Sequence, residues 1–150
     1  MVTVDGIAGL EQLVGSHLGY SDWHEVTQEQ VGLFADATGD HQWIHVDVER
    51  AKGGPFGGPI AHGYLTLSMA SALIAEVARV EGISMGVNYG LDRVRFPAPV
   101  PVGAKLRMGA ELVSLDRIAG GAQAKVRATF ETEGASKPSC VAEIIFRYYE

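Results

Sequence analysis

Between Tyr64 and Arg79 the chain sets apolar residues on nearly every side of a helical wheel. Leu65, Leu67, Met69, Ala70, Ala72, Leu73, Ile74, Val77 and Ala78 leave almost no polar stripe. A helix that is hydrophobic all round must be wrapped by other elements. The spacing predicts one continuous helix over 64–79, about 24 Å long at the α-helical rise per residue. Thr66, Ser68, Ser71, Glu76 and Arg79 interrupt the segment, so it makes a poor membrane span. The rest of the chain has to supply the wrapping.

Four segments downstream have the pattern to do so. Residues 88–96, 105–115, 124–131 and 141–149 alternate in polarity and are separated by breaks containing Gly or Pro. Val126, Ala128 and Phe130 point one way while Lys125, Arg127, Thr129 and Glu131 point the other, as in a half-buried strand. Gly120-Gly121 suits a hairpin turn between two of these strands. Helices therefore come first and strands follow, with no βαβ alternation. That order predicts an α+β fold, an antiparallel sheet around one long central helix, over a single domain spanning 1–150. The arrangement is that of a hotdog.

Upstream, Thr27-Gln28-Glu29-Gln30 has the form of a capping box, and Gly39 stands where a left-handed residue would end the helix. Asp47 is positioned to cap a short turn through Lys52. The run Gly53-Gly54-Pro55-Phe56-Gly57-Gly58-Pro59 must be loop. Ile7, Leu10 and Val14 fall at helical spacing and predict a short covering helix near the N-terminus.

Two clusters carry the chemistry. Asp40 and His45 are five residues apart in an irregular segment, so a turn can bring a carboxylate beside an imidazole. Such a pair can hold water and move protons near neutral pH, or can simply serve the turn. A metal set of Asp40, His41, His45 and Asp47 is the weaker option without a helix to fix the spacing. The second cluster is Pro59-Ile60-Ala61-His62-Gly63, which opens the apolar helix. The N–H of Gly63 is suited to a carbonyl oxygen that gains negative charge, although the glycine also permits a tight entry to the helix. His62 can be a ligand contact or a satisfied core histidine. Ser68 and Ser71 share a helix face, and neither lies in a nucleophile elbow.

Composition excludes much else. The 150 residues carry 12 Lys+Arg against 18 Asp+Glu, a net charge of −6, which argues against a nucleic-acid footprint. A single cysteine, Cys140, excludes a disulfide framework and a multi-thiolate metal site, and its apolar setting marks it as a small core residue. Met1-Val2-Thr3-Val4-Asp5 lacks the basic and apolar regions of a secretion leader, so a cytoplasmic protein is expected. No glycine pattern for a dinucleotide is present, and no cofactor is expected.

Together the two clusters resemble the MaoC-like hydratase/dehydratase family, the (R)-specific enoyl-CoA hydratases of hotdog fold, and within it the NodN-like and actinobacterial branch. The family signature is matched by Phe34, then Thr38-Gly39-Asp40-His41-Gln42-Trp43-Ile44-His45 and Ala51. A second stretch is matched by Phe56-Gly57-Gly58-Pro59-Ile60-Ala61-His62-Gly63, and a third by Val94 to Gly103. The family's Asn-Pro is Gln42-Trp43 here. The resemblance implies that Asp40 and His45 are the catalytic pair and that the Gly63 amide meets the thioester carbonyl. It aligns Ser71 with a serine of the site, and Gln42 and His62 complete the expected substrate contacts. The implied reaction is reversible hydration of a trans-2-enoyl thioester to the (R)-3-hydroxyacyl thioester in fatty-acid metabolism. The substrate would be carried on coenzyme A or acyl carrier protein. A non-catalytic acyl-thioester binding protein and a hotdog thioesterase are the alternatives. Arg93, Arg95 and Lys105 are candidates for coenzyme A phosphates. An exposed sheet edge invites pairing, and the resemblance implies a homodimer with its site close to the interface.

Overall fold

The alternation in the second half of the chain becomes a curved antiparallel sheet. In a computed structural model describing residues 1–150, the elements run β1 (Val2–Asp5), α1 (Gly6–Gln12), β2 (His17–Tyr20), β3 (His24–Glu25), α2 (Gln28–Thr38), α3 (Trp43–Val46), α4 (Val48–Lys52), α5 (Gly63–Ser68), α6 (Ala70–Val77), β4 (Ala78–Glu81), β5 (Met85–Arg95), β6 (Lys105–Ile118), β7 (Gly121–Thr132) and β8 (Cys140–Tyr149). The main sheet has the order β2-β6-β7-β8-β5, with β3 also pairing to β6. Its pairs are antiparallel throughout. The register sets Val126 opposite Ile144, Ala128 opposite Ala142 and Phe130 opposite Cys140. All six are buried, while Gln123, Lys125 and Arg127 of β7 look outward.

The inner face is built from small residues. Ala110, Ala124, Ala128 and Ala142 are each 0% exposed and join one core with Leu65, Ala70, Leu73 and Val77 of the central helical segment. An alanine floor lets a helix come close to a sheet, and larger side chains (Leu106, Met108, Phe130) fill the space at its margins. The outer face is covered by cross-strand ion pairs such as Arg127 with Glu111 and Glu143. Those pairs are solvent-accessible and add little beyond solubility.

Three features differ from the expected single, fully wrapped helix. The helical segment is split at Met69, whose N–H is shared between the carbonyls of Leu65 and Thr66 at 3.1 and 3.3 Å, a tightened turn. It also ends at Val77, because Ala78 turns extended and opens β4, which pairs in parallel with β1. Alternation in Ala78-Arg79-Val80-Glu81 favours a strand once Val2–Asp5 is there to bond with it. Nor is the segment wrapped all round: Tyr64 is 71% exposed, and Ser68, Ser71, Ala72 and Ala75 also face outward. The neighbouring edge strand β5 is likewise exposed, with Met85, Val87, Tyr89 and Leu91 on its surface. No helix is long and apolar enough to cross a membrane.

The local signals upstream are realised. Thr27 Oγ1 accepts from the N–H of Gln30, and Gly39 closes α2 at φ 81°, a left-handed value that glycine takes without strain. Asp47 caps α4 by accepting from Arg50 N–H. Helix α1 buries Ile7 and Leu10, whereas Val14 lies beyond its end and is exposed.

Candidate active site

The left-handed turn at Gly39 throws the chain back across the head of α5, and the short helix α3 then turns His45 inward. His45 is 6% exposed. Its Nδ1–H donates to the carbonyl of Ile60 at 2.7 Å, because a carbonyl can only accept, and this leaves the lone pair on Nε2. Gln28 of α2 donates its amide to the His45 carbonyl at 2.8 Å and ties α3 to α2. Burial pushes the His45 imidazole below its ordinary value of 6.5, and the neighbouring His62 adds to that. The Ile60 carbonyl and Asp40 oppose the shift.

Asp40 sits at the mouth of the site with a side chain 53% exposed. One of its oxygens accepts from the N–H of Gln42 at 3.3 Å, a local turn that aims the carboxylate. A carboxylate oxygen of Asp40 and one ring nitrogen each of His45 and His62 all lie within 4.8 Å of one another. That separation allows one water to hydrogen-bond both Asp40 and His45, since each bond spans roughly 2.8 Å.

His62 is 3% exposed and is the residue that the sequence least defined. Its ring stacks on His45, with centroids 3.8 Å apart and planes 23° off parallel. Its Nε2–H donates to the backbone carbonyl of Asp40 at 2.9 Å, so that nitrogen is engaged by the protein rather than free for a substrate. The stacking also bears on whether Asp40, His45 and His62 could share an ion. An ion must lie in the plane of each imidazole it binds, and two nearly parallel rings cannot both aim lone pairs at one point. His41 and Asp47, which the sequence offered as ligands beside Asp40 and His45, are employed elsewhere. His41 pairs with Asp36 at 2.8 Å on the surface, and Asp47 caps α4.

Gly63 follows His62 directly and is the first residue of α5, where an N–H has no partner within the helix. The ring of Phe96 covers it so closely that a Cβ would lie 3.2 Å from the ring carbons. A cleft lined by Gly63, Ile60, Thr66, Phe96 and Val100 opens at this point. His62, next to Gly63 in the chain, ties the head of α5 to the Asp40 turn and the His45 ring, whereas neither Asp40 nor His45 lines the cleft at Gly63.

Ser71 does not enter this cluster. It lies two turns along the helical segment, on the surface, and its Oγ accepts from the Asn88 side chain at 3.1 Å. Ser68 bonds back to the Tyr64 carbonyl, the usual fate of a helical hydroxyl. Gln42 is exposed and meets Asp40 through its backbone alone. Trp43, where the family has proline, packs its ring under the Arg50 guanidinium at 4.2 Å and against Gly54. Arg93 and Arg95 lie exposed on β5, and Lys105 is exposed at the start of β6. Gln28 is a residue of this region that the sequence did not single out, and only its contact with the His45 backbone reveals it.

An antiparallel sheet around a central helical segment, with an acid–imidazole pair at the helix head, defines the hotdog class of thioester hydratases and dehydratases. The chain belongs to the family described as the MaoC like domain, whose model matches residues 10–135. It is 52% identical over 149 residues to a 3-hydroxyacyl-thioester dehydratase Z of Mycobacterium tuberculosis, covering 99% of both chains. It is 43% identical over 143 residues to Nodulation protein N of Rhizobium leguminosarum bv. viciae, covering 93% of this chain and 88% of that one. Among solved structures, the unliganded R-hydratase PhaJ1 of Pseudomonas aeruginosa superposes with a TM-score of 0.73 at 25% identity, over 91% of this chain and 82% of that one.

Proposed function

We propose that this protein is a hydro-lyase that adds water reversibly to a trans-2-enoyl thioester and yields the (R)-3-hydroxyacyl thioester. The single observation that carries the mechanism is an Asp40 oxygen and a ring nitrogen of His45 held within 4.8 Å, the span of one shared water. His45 Nε2, with its lone pair free and its imidazole uncharged at neutral pH, takes a proton from that water as the oxygen bonds to C3. Asp40 holds the water by its second hydrogen and stabilises the imidazolium that forms. The electron pair of the C2–C3 double bond moves toward the thioester carbonyl, whose oxygen the Gly63 N–H receives. The proton then passes from His45 to C2. Water is consumed whole, and the pair returns to its starting state.

Coenzyme A or acyl carrier protein would carry the acyl group, and Arg93 and Arg95, exposed on β5, would be its phosphate partners. The protein would act in the cytoplasm as a homodimer. Support for the dimer is the exposed apolar edge strand β5 beside the uncovered helical face that bears Tyr64.

The test is loss of the conjugated-thioester absorbance of crotonyl-CoA, with chiral analysis of the product and a free-thiol assay in parallel. Asp40→Asn and His45→Gln are each expected to lower the rate by about 10²–10⁴-fold. Wild-type turnover in either variant, or thiol release in place of hydration, would overturn the assignment.

A further inference from the structure

His62 makes contacts that neither a substrate ligand nor a passive core residue needs. Its ring is packed between Phe34, with centroids 4.8 Å apart, and His45 at 3.8 Å. Its Nε2–H fixes the Asp40 carbonyl, and its Nδ1 is buried with no partner at all. A core histidine chosen only for packing would have both nitrogens satisfied or would be replaced by an apolar ring. This one retains a buried polar atom and uses the opposite nitrogen to reach the loop that bears the carboxylate. It also occupies the N-cap position of α5, without a side-chain capping bond, so its backbone joins the helix head to the ring that meets the Asp40 turn and the His45 face.

We infer that His62 is the positioning residue of this site: its Nε2–H holds the Asp40 backbone while its face fixes the His45 ring, so that acid and base keep a common water. The inference rests on the catalytic reading of Asp40 and His45 given above. The charged groups facing the His45 ring are Asp40, from the loop after α2, and His62 itself at the head of α5. Helix α2 contributes Gln28 to the His45 backbone carbonyl and Phe34 to the His62 ring, and neither titrates.

Two substitutions separate the two contacts. His62→Phe keeps an aromatic face for His45 and removes the donor to Asp40. His62→Gln keeps a donor within reach and removes the face. Each is expected to lower kcat by about 10²-fold, as a misplacement near an ångström does, with little change in KM. A role confined to packing would lower the melting temperature and leave kcat at the wild-type level where the variant is folded. Wild-type kcat in a folded variant overturns the inference. Should neither variant fold, nitrogen NMR of the imidazoles in the unaltered protein decides. The Nε2–H tautomer is expected for His62 and the Nδ1–H tautomer for His45, and the opposite tautomer on His62 refutes the clamp. Asp40→Asn assayed beside them keeps the two levels apart. Activity in that variant sinks the catalytic reading, whereas activity in the His62 variants alone sinks only the positioning role.

Discussion

The imidazole of His62 lies almost flat on that of His45, 3.8 Å between centroids, and the same His62 bonds the carbonyl of Asp40. Two histidines that are far apart in sequence thus share one buried stack. On the proposed mechanism, Asp40 and His45 inherit from it the spacing that holds one water.

The pH dependence follows from the His45 environment. Burial, seconded by His62, places its imidazole below 6.5. Hydration needs the uncharged ring, so activity is lost as pH falls through that lowered value. The acid limb of kcat/KM should therefore lie below 6.5, and a limb above it would contradict the assignment of His45 as the base. Stability carries the same sign. The unfolded chain binds the proton more readily than the folded one, so the folded state loses stability as pH falls from about 6.5 toward the lowered value. Thermal melts of the wild type and of His45→Gln, compared across that window, should show the wild type losing ground as the solution is acidified.

Gly63 tests the helix head. A methyl group added there would meet Phe96 at 3.2 Å, a ring that is 41% exposed and can swing aside. Gly63→Ala should then fold with a melting temperature close to that of the wild type, while the methyl intrudes where the thioester carbonyl approaches. A fall in kcat/KM of about 10²-fold is expected, the scale of a disturbed oxyanion donor. Truncating the ring in the double variant Gly63→Ala, Phe96→Ala separates the causes. Activity restored by the second change would mean that displacement of Phe96, and not obstruction of the amide, was the damage.

Much of the architecture could be read from local signals. Thr27 and Gly39 bounded α2 because caps depend on neighbours in sequence, and the alternation of β7 was plain because its pleat is a period of two. Asp40 and His45 were legible for the same reason: a turn spans the gap between them. What escaped depends on distant partners. Val2–Asp5 becomes a strand only because Ala78–Glu81 lies beside it, and the apolar residues running past Val77 concealed where the helix stops. The exposed face at Tyr64 could not be inferred from a wheel that is apolar on every side, since the pattern demands cover without saying that this chain provides all of it. His62 was ambiguous for a similar reason, because its role lies in contacts with His45 and Asp40 that no spacing rule anticipates.

The core makes a sharper demand than the surface. Phe130 is 0% exposed and sits opposite Cys140 at the margin of the alanine floor. Phe130→Ala should cost about 3–5 kcal/mol, since the surrounding sheet can collapse only partly into the space left behind. Denaturant melts that place the loss below about 1 kcal/mol would mean that the site repacks far more freely than buried aromatic sites usually do.

Trp43 marks the chain's departure from the family motif, and its surroundings say what replaced the proline. The indole lies under Arg50 at 4.2 Å and presses on Gly54, where even a methyl would come within 3.0 Å of the ring. These contacts pin the glycine-rich loop after α4, and through it the Ile60 carbonyl that orients His45. The ring itself touches neither carboxylate nor imidazole in the hydrogen-bond pattern of the site. Trp43→Ala should consequently lower stability by about 1–3 kcal/mol, the range of a half-buried packing loss. It should leave kcat within a few-fold of wild type at a temperature where the variant is folded. Limited proteolysis offers a second readout, with new cleavage expected between Gly53 and Pro59. A variant that keeps its melting temperature but loses turnover would instead place the indole against the substrate, and the loop-pinning account would have to be abandoned.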